Sequence, residues 1–420
     1  MKLLWHKEKD SSRTETAPPD PSSSESFAGG IVRRKALSYV VNAVAAAAIY
    51  LLFLTAMSQG WINSYYRGIL VLIGINAIMA VSLNLATGLL GELCLGHAGF
   101  MAVGAYTAAI FTMQSQLPAL PALIIGLLLG ALSAAAAAVL VGVPALRLRG
   151  DYLAIITLAF GEIITIFIRS FGFTGGARGL NNIPLTTNFS ITFAVLVLTV
   201  YSVYALIRSR QGRAILAIRE DDIAAEASGI NTTRTKITAF VISAAFAGIA
   251  GGLYAHYQGI LAPERFNYDY SINFMVMVVF GGMGSITGSI LSAIVLTILP
   301  EVLLDFADYR MLIYALALVG LMIFRPSGLL GREEISQNHI KRLLARIFRR
   351  PLPPLITSVN TVITGQSGLL RRNSWSRRRE ENLAASDLPA AEHLVQRDDG
   401  RDPDGRPDEA AGRRKKRGRR

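Results

Sequence analysis

Apolar and polar stretches alternate along this chain at intervals that match the thickness of a lipid bilayer. The apolar segments lie at about 36–57, 68–87, 93–113, 121–145, 152–170, 189–207, 237–258, 271–282, 286–300 and 309–324. Roughly 20 helical residues cross the hydrocarbon core, so most of these segments are long enough to span it. The pattern predicts an all-α polytopic membrane protein with about ten transmembrane helices, including broken or short spans such as 271–282.

One charged insert, 208–236, separates two of the apolar segments. It carries four arginines and three consecutive acidic residues within its first half. Each charge at the bilayer centre costs about 2.5–3.5 kcal/mol on insertion scales, so this insert must lie at a membrane face. Its alanines and isoleucines recur at helical spacing, which predicts a helix with a small apolar face. We interpret the insert as a docking element for a soluble subunit, the alternative being a solvated helix without a partner.

The distribution of positive charge orients the chain. Lys and Arg are retained on the cytoplasmic side of membranes. Ten crossings put the insert, the basic turn at 147–149 and both termini in the cytoplasm, provided that 271–300 makes two passes about the break FGGMGSITGS. The domain organisation expected is a disordered cytoplasmic arm at 1–35, a membrane domain at 36–330 and a basic, largely disordered cytoplasmic tail at 331–420.

Composition narrows the functional class. Hydrophobic residues make up 52% of the chain and there are 38 glycines, as in helix-packed membrane proteins. Most of the +13 net charge lies in the tail, which the positive-inside rule explains without a nucleic-acid partner. The single cysteine, Cys94, excludes an intrachain disulfide, and no histidine has zinc-ligand spacing. Since phosphate-binding and nucleophile motifs are absent from the sequence, we expect a non-catalytic subunit without metal or cofactor.

The segment NLATGLLGELCLGHAGFMAVGAYTA, 84–108, holds the first candidate site. Its glycines are too dense for a uniform helix, and broken backbone is tolerated within a membrane where it is buried in protein or lines a cavity. Asn84, Gly96 and His97 are therefore candidates for lining a substrate pathway. The alternative is that the glycines only allow close helix packing.

A polar stripe on the apolar segment 152–170 is the second candidate. Thr157, Gly161, Glu162 and Thr165 recur at spacings of three and four residues, which places them on one helix face. Thr157 and Glu162 are further pathway candidates. A hydrogen bond from Glu162 to a neighbouring helix would explain the stripe equally well. The turn-rich FTGGARGLNNIP, 173–184, is expected at the outer face.

Four ordered motifs carry a resemblance to a known family. The strings are LRLRGDYLAIITLAFGEI, TGGARGLNNIP, GRAILAIREDDIAAEASGINTTRTKITAFVISAAFAGIAGGLYAHYQG and SINFMVMVVFGGMGSITGSI. Over about 66–330 the chain resembles the LivM-type permeases, the transmembrane subunits of bacterial ABC importers for branched-chain amino acids. The resemblance implies an inner-membrane protein with a homologous second permease, two ATPase subunits and an extracytoplasmic solute-binding protein as partners. By motif match, the ATPase contact would comprise Gly212, Arg213, Arg219, Glu220, Ala224, Ala225 and Gly229.

Other functions remain open at this stage. The same permease type carries urea, short amides or aromatic acids. Glu92 and Cys94 stand where the family often has glutamine and serine, and a carboxylate beside a pathway would alter substrate preference. A secondary transporter driven by an ion gradient would use Glu162 as its coupling site, whereas a membrane scaffold would act through its basic tail.

Overall fold

The computed structural model describes residues 44, 47–60, 63–146, 151–304, 312, 315–316, 319–320, 323 and 328–329. Every described residue belongs to one unit, Met1–Lys341. Within these ranges the regular elements are helices, and extended pairing is confined to an isolated bridge between Leu180 and Leu261. The arm at 1–35 and the tail at 331–420 lie outside the described residues, so the expectations for them stay predictions.

Eleven α-helices are defined by the described residues. In chain order they are α1 Ala47–Ser58, α2 Ser64–Asn84, α3 His97–Gln114, α4 Ala119–Ala145, α5 Asp151–Ser170, α6 Phe189–Arg208, α7 Arg210–Glu220, α8 Asp222–Ala227, α9 Thr232–Gln258, α10 Tyr268–Gly281 and α11 Ile286–Val302. A π-helical turn, Leu85–Leu89, extends α2. Short 3-10 turns lie at Gly172–Thr174, Gly176–Arg178 and Pro263–Phe266.

Five of these helical segments are long and apolar enough to cross a membrane. They are Ser64–Leu89, Ala119–Ala145, Tyr152–Ser170, Phe189–Arg208 and Thr232–Gln258. The prediction of an all-α polytopic membrane protein is confirmed. The count of about ten crossings stays a prediction, because most of 36–57 and 309–324 lies outside the described residues.

Three helices meet at glycines in the centre of the bundle. Gly104 of α3, Gly130 of α4 and Gly248 of α9 face one another, so that a Cβ on Gly130 would lie 2.8 Å from the carbonyl oxygen of Gly104. A Cβ on Gly104 would overlap the backbone of Gly248. In lipid, helices associate through packing of this kind rather than through a hydrophobic driving force. The glycines therefore set the approach of α3, α4 and α9.

A tight turn joins α10 to α11, where the sequence predicted a break. Gly282 and Gly284 adopt φ values of 107° and 93°, a region that favours glycine. The Ser285 side chain then accepts a hydrogen bond from the Gly288 amide at 3.1 Å and caps α11. α10 has 14 residues and α11 has 17. At about 1.5 Å per residue, α10 is near 21 Å long and is shorter than a full crossing.

The insert forms two helices, α7 and α8, where one was expected. The backbone of Asp221 is extended between them, and its carboxylate accepts hydrogen bonds from the amides of Ile223 and Ala224 at 2.9 and 3.0 Å. Aspartate is a strong N-cap residue, so the sequence starts a second helix at this point. The sequence analysis missed this cap because the apolar spacing continues through it.

The apolar face of the insert packs against its own chain. Ile215, Ile218 and Ala225 are buried in a cluster with Leu85 and Leu89 of the π-helical turn. This differs from the expectation of a small apolar face free for a partner. The helix bundle leaves apolar surface beside the π-helical turn, and the insert covers this surface. We call the end of the bundle at which α7 and α8 lie the insert face.

The other end of the bundle, the opposite face, is held by contacts between loops and helix ends. The Leu180 amide donates to the Leu261 carbonyl at 3.0 Å, and the Tyr106 hydroxyl donates to the same carbonyl at 3.2 Å. Tyr65 at the start of α2 bonds to Glu301 near the end of α11. The 173–184 loop therefore lies at the opposite end of the bundle from the insert.

Candidate functional site

Asn84 joins the end of α2 to the turn between α10 and α11. Its Nδ2 donates to the Ser285 carbonyl at 3.0 Å, and its Oδ1 accepts from the Gly284 amide at 2.8 Å. The residue is 1% exposed. Both polar ends of this buried amide are thus satisfied by backbone groups of the turn. Asn84 fixes the position of the α10–α11 turn.

The helix is interrupted after Asn84, as the density of glycines in 84–108 predicted. The π-helical turn leads into an extended loop at 90–96, in which Gly91 has φ 87°. A Cβ on Gly88 would overlap the Asn84 amide. π-helical turns within α-helices frequently occur at functional sites. We call residues 84–96 the broken segment.

The broken segment packs against α5 through Gly96 and Thr157. The Leu95 amide donates to the Thr157 hydroxyl at 3.1 Å, and a Cβ on Gly96 would overlap the Thr157 carbonyl. One turn further along α5, a Cβ on Gly161 would lie 3.2 Å from the Cα of Gly96. Two pathway candidates, Gly96 and Thr157, are therefore in direct contact with each other.

His97 begins α3 beside α2. Its Nε2 lies 2.9 Å from the Ser82 hydroxyl, and the residue is 1% exposed. The Ser82 hydroxyl also donates to the Met79 carbonyl at 2.8 Å. His97 is a buried link between two helices in this conformation and is next to Gly96 in sequence. Its partner Ser82 lies two residues before Asn84 on α2.

Glu162 lies apart from the other pathway candidates, nearer the opposite face. Its Oε1 accepts a hydrogen bond of 2.9 Å from the backbone amide of Tyr268, the first residue of α10. A carboxylate is favourable at a helix N-terminus, where amides lack intrahelical partners. Thr165, one turn along α5, donates to the carbonyl of Phe266 at 3.2 Å. The polar stripe of α5 thus bonds to the connection before α10.

An ion-pair cluster connects the insert, α9 and the broken segment. Lys236 extends its Nζ to 2.9 Å from Glu92 Oε1 and 3.1 Å from Asp222 Oδ2. The side chains of Lys236 and Glu92 are 10% and 15% exposed, so both charges are largely removed from water. The Glu92 carboxylate therefore has a counter-ion, Lys236, within the chain. Sequence reasoning did not find this cluster, although Lys236 is a charged residue near the start of a long apolar helix.

Arg219 makes a second connection from the insert to the same region. A Cβ on Gly91 would lie 3.3 Å from the Arg219 Cγ, and one on Gly284 would lie 2.9 Å from its Nη1. The arginine side chain therefore passes beside the loop of the broken segment and the α10–α11 turn. An open cavity of about 340 Å³, lined in part by Glu92, Asp222 and Lys236, lies next to it.

The residues matched to an ATPase contact occupy different positions on the insert. Gly212 and Ala225 are buried within this chain, and Arg219 is partly covered. A Cβ on Gly212 would overlap backbone at the end of α6. The exposed members are Arg213, Glu220, Ala224 and Gly229. Ile223 is a large apolar residue that is 69% exposed on α8. It belongs to the alanine and isoleucine spacing of the insert but not to the residues matched to the ATPase contact.

Groups of three or more metal-ligating side chains do not occur among the described residues. The polar groups instead serve helix contacts at the insert face and before α10. These features define the class as a polytopic α-helical membrane protein with a charged two-helix insert tied to a broken helix.

The family follows from comparison with known sequences. Residues 65–325 match the family model described as "Branched-chain amino acid transport system / permease component". Because this match covers more than half of the chain, the protein belongs to this family of permease components.

The relatives agree with the family match. The high-affinity branched-chain amino acid transport system permease protein LivM of Salmonella typhimurium is 38% identical in an alignment of 323 residues that covers 67% of this chain and 74% of the relative. LivM of Escherichia coli K12 is 39% identical over 320 residues, with the same shares. The LivH permease protein of Escherichia coli K12 is 33% identical over 150 residues, which cover 35% of this chain and 47% of the relative.

Proposed function

We propose that this protein is the transmembrane permease subunit of an ATP-driven importer for branched-chain amino acids. The structural observation that carries the proposal is the attachment of a charged insert to the broken segment through Lys236 and Arg219. An insert outside the bilayer can receive movement from a soluble subunit, and its contacts pass that movement to the membrane helices. Membership of the permease family supports the substrate class.

The proposal includes a set of partners and an orientation. A homologous second permease lies beside this chain in the inner membrane, and two ATPase subunits bind at the cytoplasmic insert face. A solute-binding protein delivers the amino acid to the opposite face. Both termini are cytoplasmic. ATP hydrolysis takes place in the ATPase subunits, so this chain is not itself an enzyme and requires no cofactor.

The substrate pathway is proposed to border the broken segment and α5. A zwitterionic amino acid needs polar groups for its two charges and an apolar slot for its side chain. Asn84, Gly96, His97 and Thr157 are in or against the broken segment, and Glu162 lies further along α5. Their hydrogen bonds are made within the chain in this conformation. Contact with substrate therefore requires the helices to separate as the importer changes state.

Reconstitution in proteoliposomes tests the function. This chain is combined with the second permease, the ATPases and the binding protein, and uptake of leucine, urea and benzoate is measured with ATP inside the vesicles. We expect leucine uptake that requires ATP and is insensitive to a protonophore. Uptake without ATP that collapses with the proton gradient would instead support the secondary transporter. ATP-dependent uptake of urea or benzoate, but not leucine, would retain the permease class and replace the substrate.

Two surface substitutions test the docking of the ATPase at the insert. Ile223→Asp and Ala224→Asp place a charge on exposed positions of α8, and we expect both to reduce co-purification of the ATPase with the solubilised chain. Leu185→Asp is the matched control, because Leu185 is an apolar residue 71% exposed in the 173–188 region at the opposite face. Equal recovery of ATPase with all three variants would contradict docking at α8.

The proposed pathway is tested at its two ionisable residues. We expect Glu162→Ala and His97→Ala to lower leucine uptake while the protein is still expressed and assembled, because a pathway without these polar groups binds the zwitterion less well. Uptake is compared at equal amounts of membrane-inserted protein. Undiminished uptake by both variants would remove these residues from the pathway.

A further inference from the structure

We propose that Glu92 and Lys236 form the link through which movement of the insert reaches the broken segment, and that they are positioning residues for import. This inference rests on the proposed function, since it names the contact that would couple ATP hydrolysis to transport. It adds a role for two residues that belong to neither the ATPase contact nor the pathway.

The ion-pair cluster joins three different elements of the chain. Glu92 belongs to the loop of the broken segment, Asp222 begins α8, and Lys236 lies in the second turn of α9. The Lys236 ammonium is within 2.9 Å of Glu92 and 3.1 Å of Asp222. A displacement of the start of α9 must therefore either carry Glu92 with it or break a largely buried ion pair. A displacement of α8 reaches Lys236 through Asp222.

Breaking such a pair is unfavourable when no other partner is available. A buried charge without its counter-ion loses both hydration and the attraction that replaced it. Lys236 has two carboxylates, so it can keep one of them while the other moves. Asp222 Oδ1 has no hydrogen-bond partner among the residues that the structure describes, and Asp222 borders the 340 Å³ cavity, which leaves room for this carboxylate to change position. The cluster therefore permits two arrangements of the insert against the broken segment.

The surrounding contacts direct the movement toward the pathway candidates. Glu92 is held to the π-helical turn because its amide donates to the Ala86 carbonyl at 3.1 Å. The same segment begins at Asn84, which bonds to the α10–α11 turn, and ends at Gly96, which abuts Thr157. A force applied at Glu92 thus acts on the piece of backbone to which Asn84 and Gly96 belong.

The test removes the Glu92–Lys236 ion pair without leaving an unpaired buried charge. In Glu92→Ala, Lys236 remains paired with Asp222, so folding and assembly should survive. The complete importer is reconstituted, and leucine uptake and ATP hydrolysis are measured on the same vesicles. We expect uptake per ATP to fall by about fivefold or more, which is the lower end of typical coupling between sites. Co-purification of the ATPase should be unchanged.

A conservative variant separates a coupling role from a structural one. Glu92→Gln keeps an oxygen acceptor for the ammonium, and we expect uptake per ATP near that of the wild type. If Glu92→Ala keeps the wild-type ratio, the inference is overturned. It is equally overturned if uptake and ATPase recovery fall together, since that indicates lost assembly. Absence of ATP-dependent leucine uptake in the wild type would instead overturn the proposed function.

Discussion

At the scale of single residues, the buried polar side chains act as links between helices. Asn84 bonds to the α10–α11 turn, His97 to Ser82, and Thr112 lies 2.8 Å from the Nε2 of His256. A polar group that is buried without a hydrogen-bond partner costs free energy. Each of these side chains therefore favours the helix arrangement in which its partner lies beside it. Polar positions in the apolar segments therefore report on helix arrangement as well as on transport.

Asn84→Ala should destabilise the protein more than Asn76→Ala. The first change removes two hydrogen bonds and leaves the partly buried Gly284 amide without its acceptor, at a cost of about 1–3 kcal/mol for a buried group. The Ser285 carbonyl keeps its bond from the Ser289 amide at 3.1 Å. Asn76, on the same helix, donates a single side-chain bond of 2.9 Å to Thr297. Thermal unfolding in detergent measures both losses. Equal losses would show that the link to the turn contributes little.

At the scale of elements, small residues and caps decide where helices approach and where they end. Gly104, Gly130 and Gly248 let three helices touch through their backbones, and the Asp221 cap divides the insert into two helices. The mean spacing of apolar residues does not reveal either feature. Each depends on one residue type at one position.

Gly104→Ala should disrupt the contact between α3 and α9. The added methyl group overlaps the Gly248 backbone, which cannot rotate away, and overpacking of this kind typically costs about 1–3 kcal/mol. Gly126→Ala in α4 is the control, because the nearest atom to its Cβ is a Thr112 methyl carbon at 3.2 Å that needs to move only slightly. We expect a larger loss of monodisperse protein on size-exclusion chromatography for Gly104→Ala. The reverse order would contradict the packing described.

Asp221→Ala should loosen α8 without affecting α7. The substitution removes the acceptor for the Ile223 and Ala224 amides, and loss of such an N-cap costs about 0.5–2 kcal/mol. Hydrogen exchange across Asp222–Ala227 should accelerate, whereas exchange across Arg210–Glu220 should stay unchanged. Asp221→Asn preserves a capping oxygen and serves as the control. Unchanged exchange in α8 after the alanine substitution would count against the cap.

At the scale of the whole molecule, the two ends of the bundle differ in what they present. The insert face carries the charged helices α7 and α8, whereas the opposite face is formed by the 173–188 region and the start of α10. The positive-inside rule assigns the insert to the cytoplasm. Because the two faces differ, the orientation of the protein in the membrane can be measured without any partner.

Cysteine labelling tests the orientation. The chain has one native cysteine, Cys94, which is 1% exposed and should not react with a membrane-impermeant maleimide. Leu185→Cys should label in intact spheroplasts, because the proposed orientation places the opposite face outside. Ala224→Cys should label only after the membrane is permeabilised. Reversed labelling would place the insert outside and contradict the proposed docking of an ATPase.

Truncation of the tail distinguishes the importer hypothesis from the scaffold hypothesis. The chain ended after Gly331 keeps the whole family match at residues 65–325 and lacks the basic tail. We expect the truncated protein to support leucine uptake in the reconstituted importer at the level of the full chain. Loss of uptake with normal assembly would show that the tail takes part in transport, as the scaffold hypothesis requires.

The sequence by itself determined the class of fold, most helix positions, the charged insert and the break between α10 and α11. These follow from local properties: the length and polarity of each segment, the cost of charge in lipid, and the backbone freedom of glycine. The ordered motifs also led to the family that the comparison establishes.

Only the tertiary structure decided which residues meet. Glu92 is distant in sequence from both Asp222 and Lys236, and Asn84 bonds to Gly284, 200 positions away. The apolar face of the insert turned toward its own bundle because uncovered apolar surface was available there. Pairing between segments depends on how several helices satisfy one another's buried groups at once, and a pattern along one segment does not contain that information.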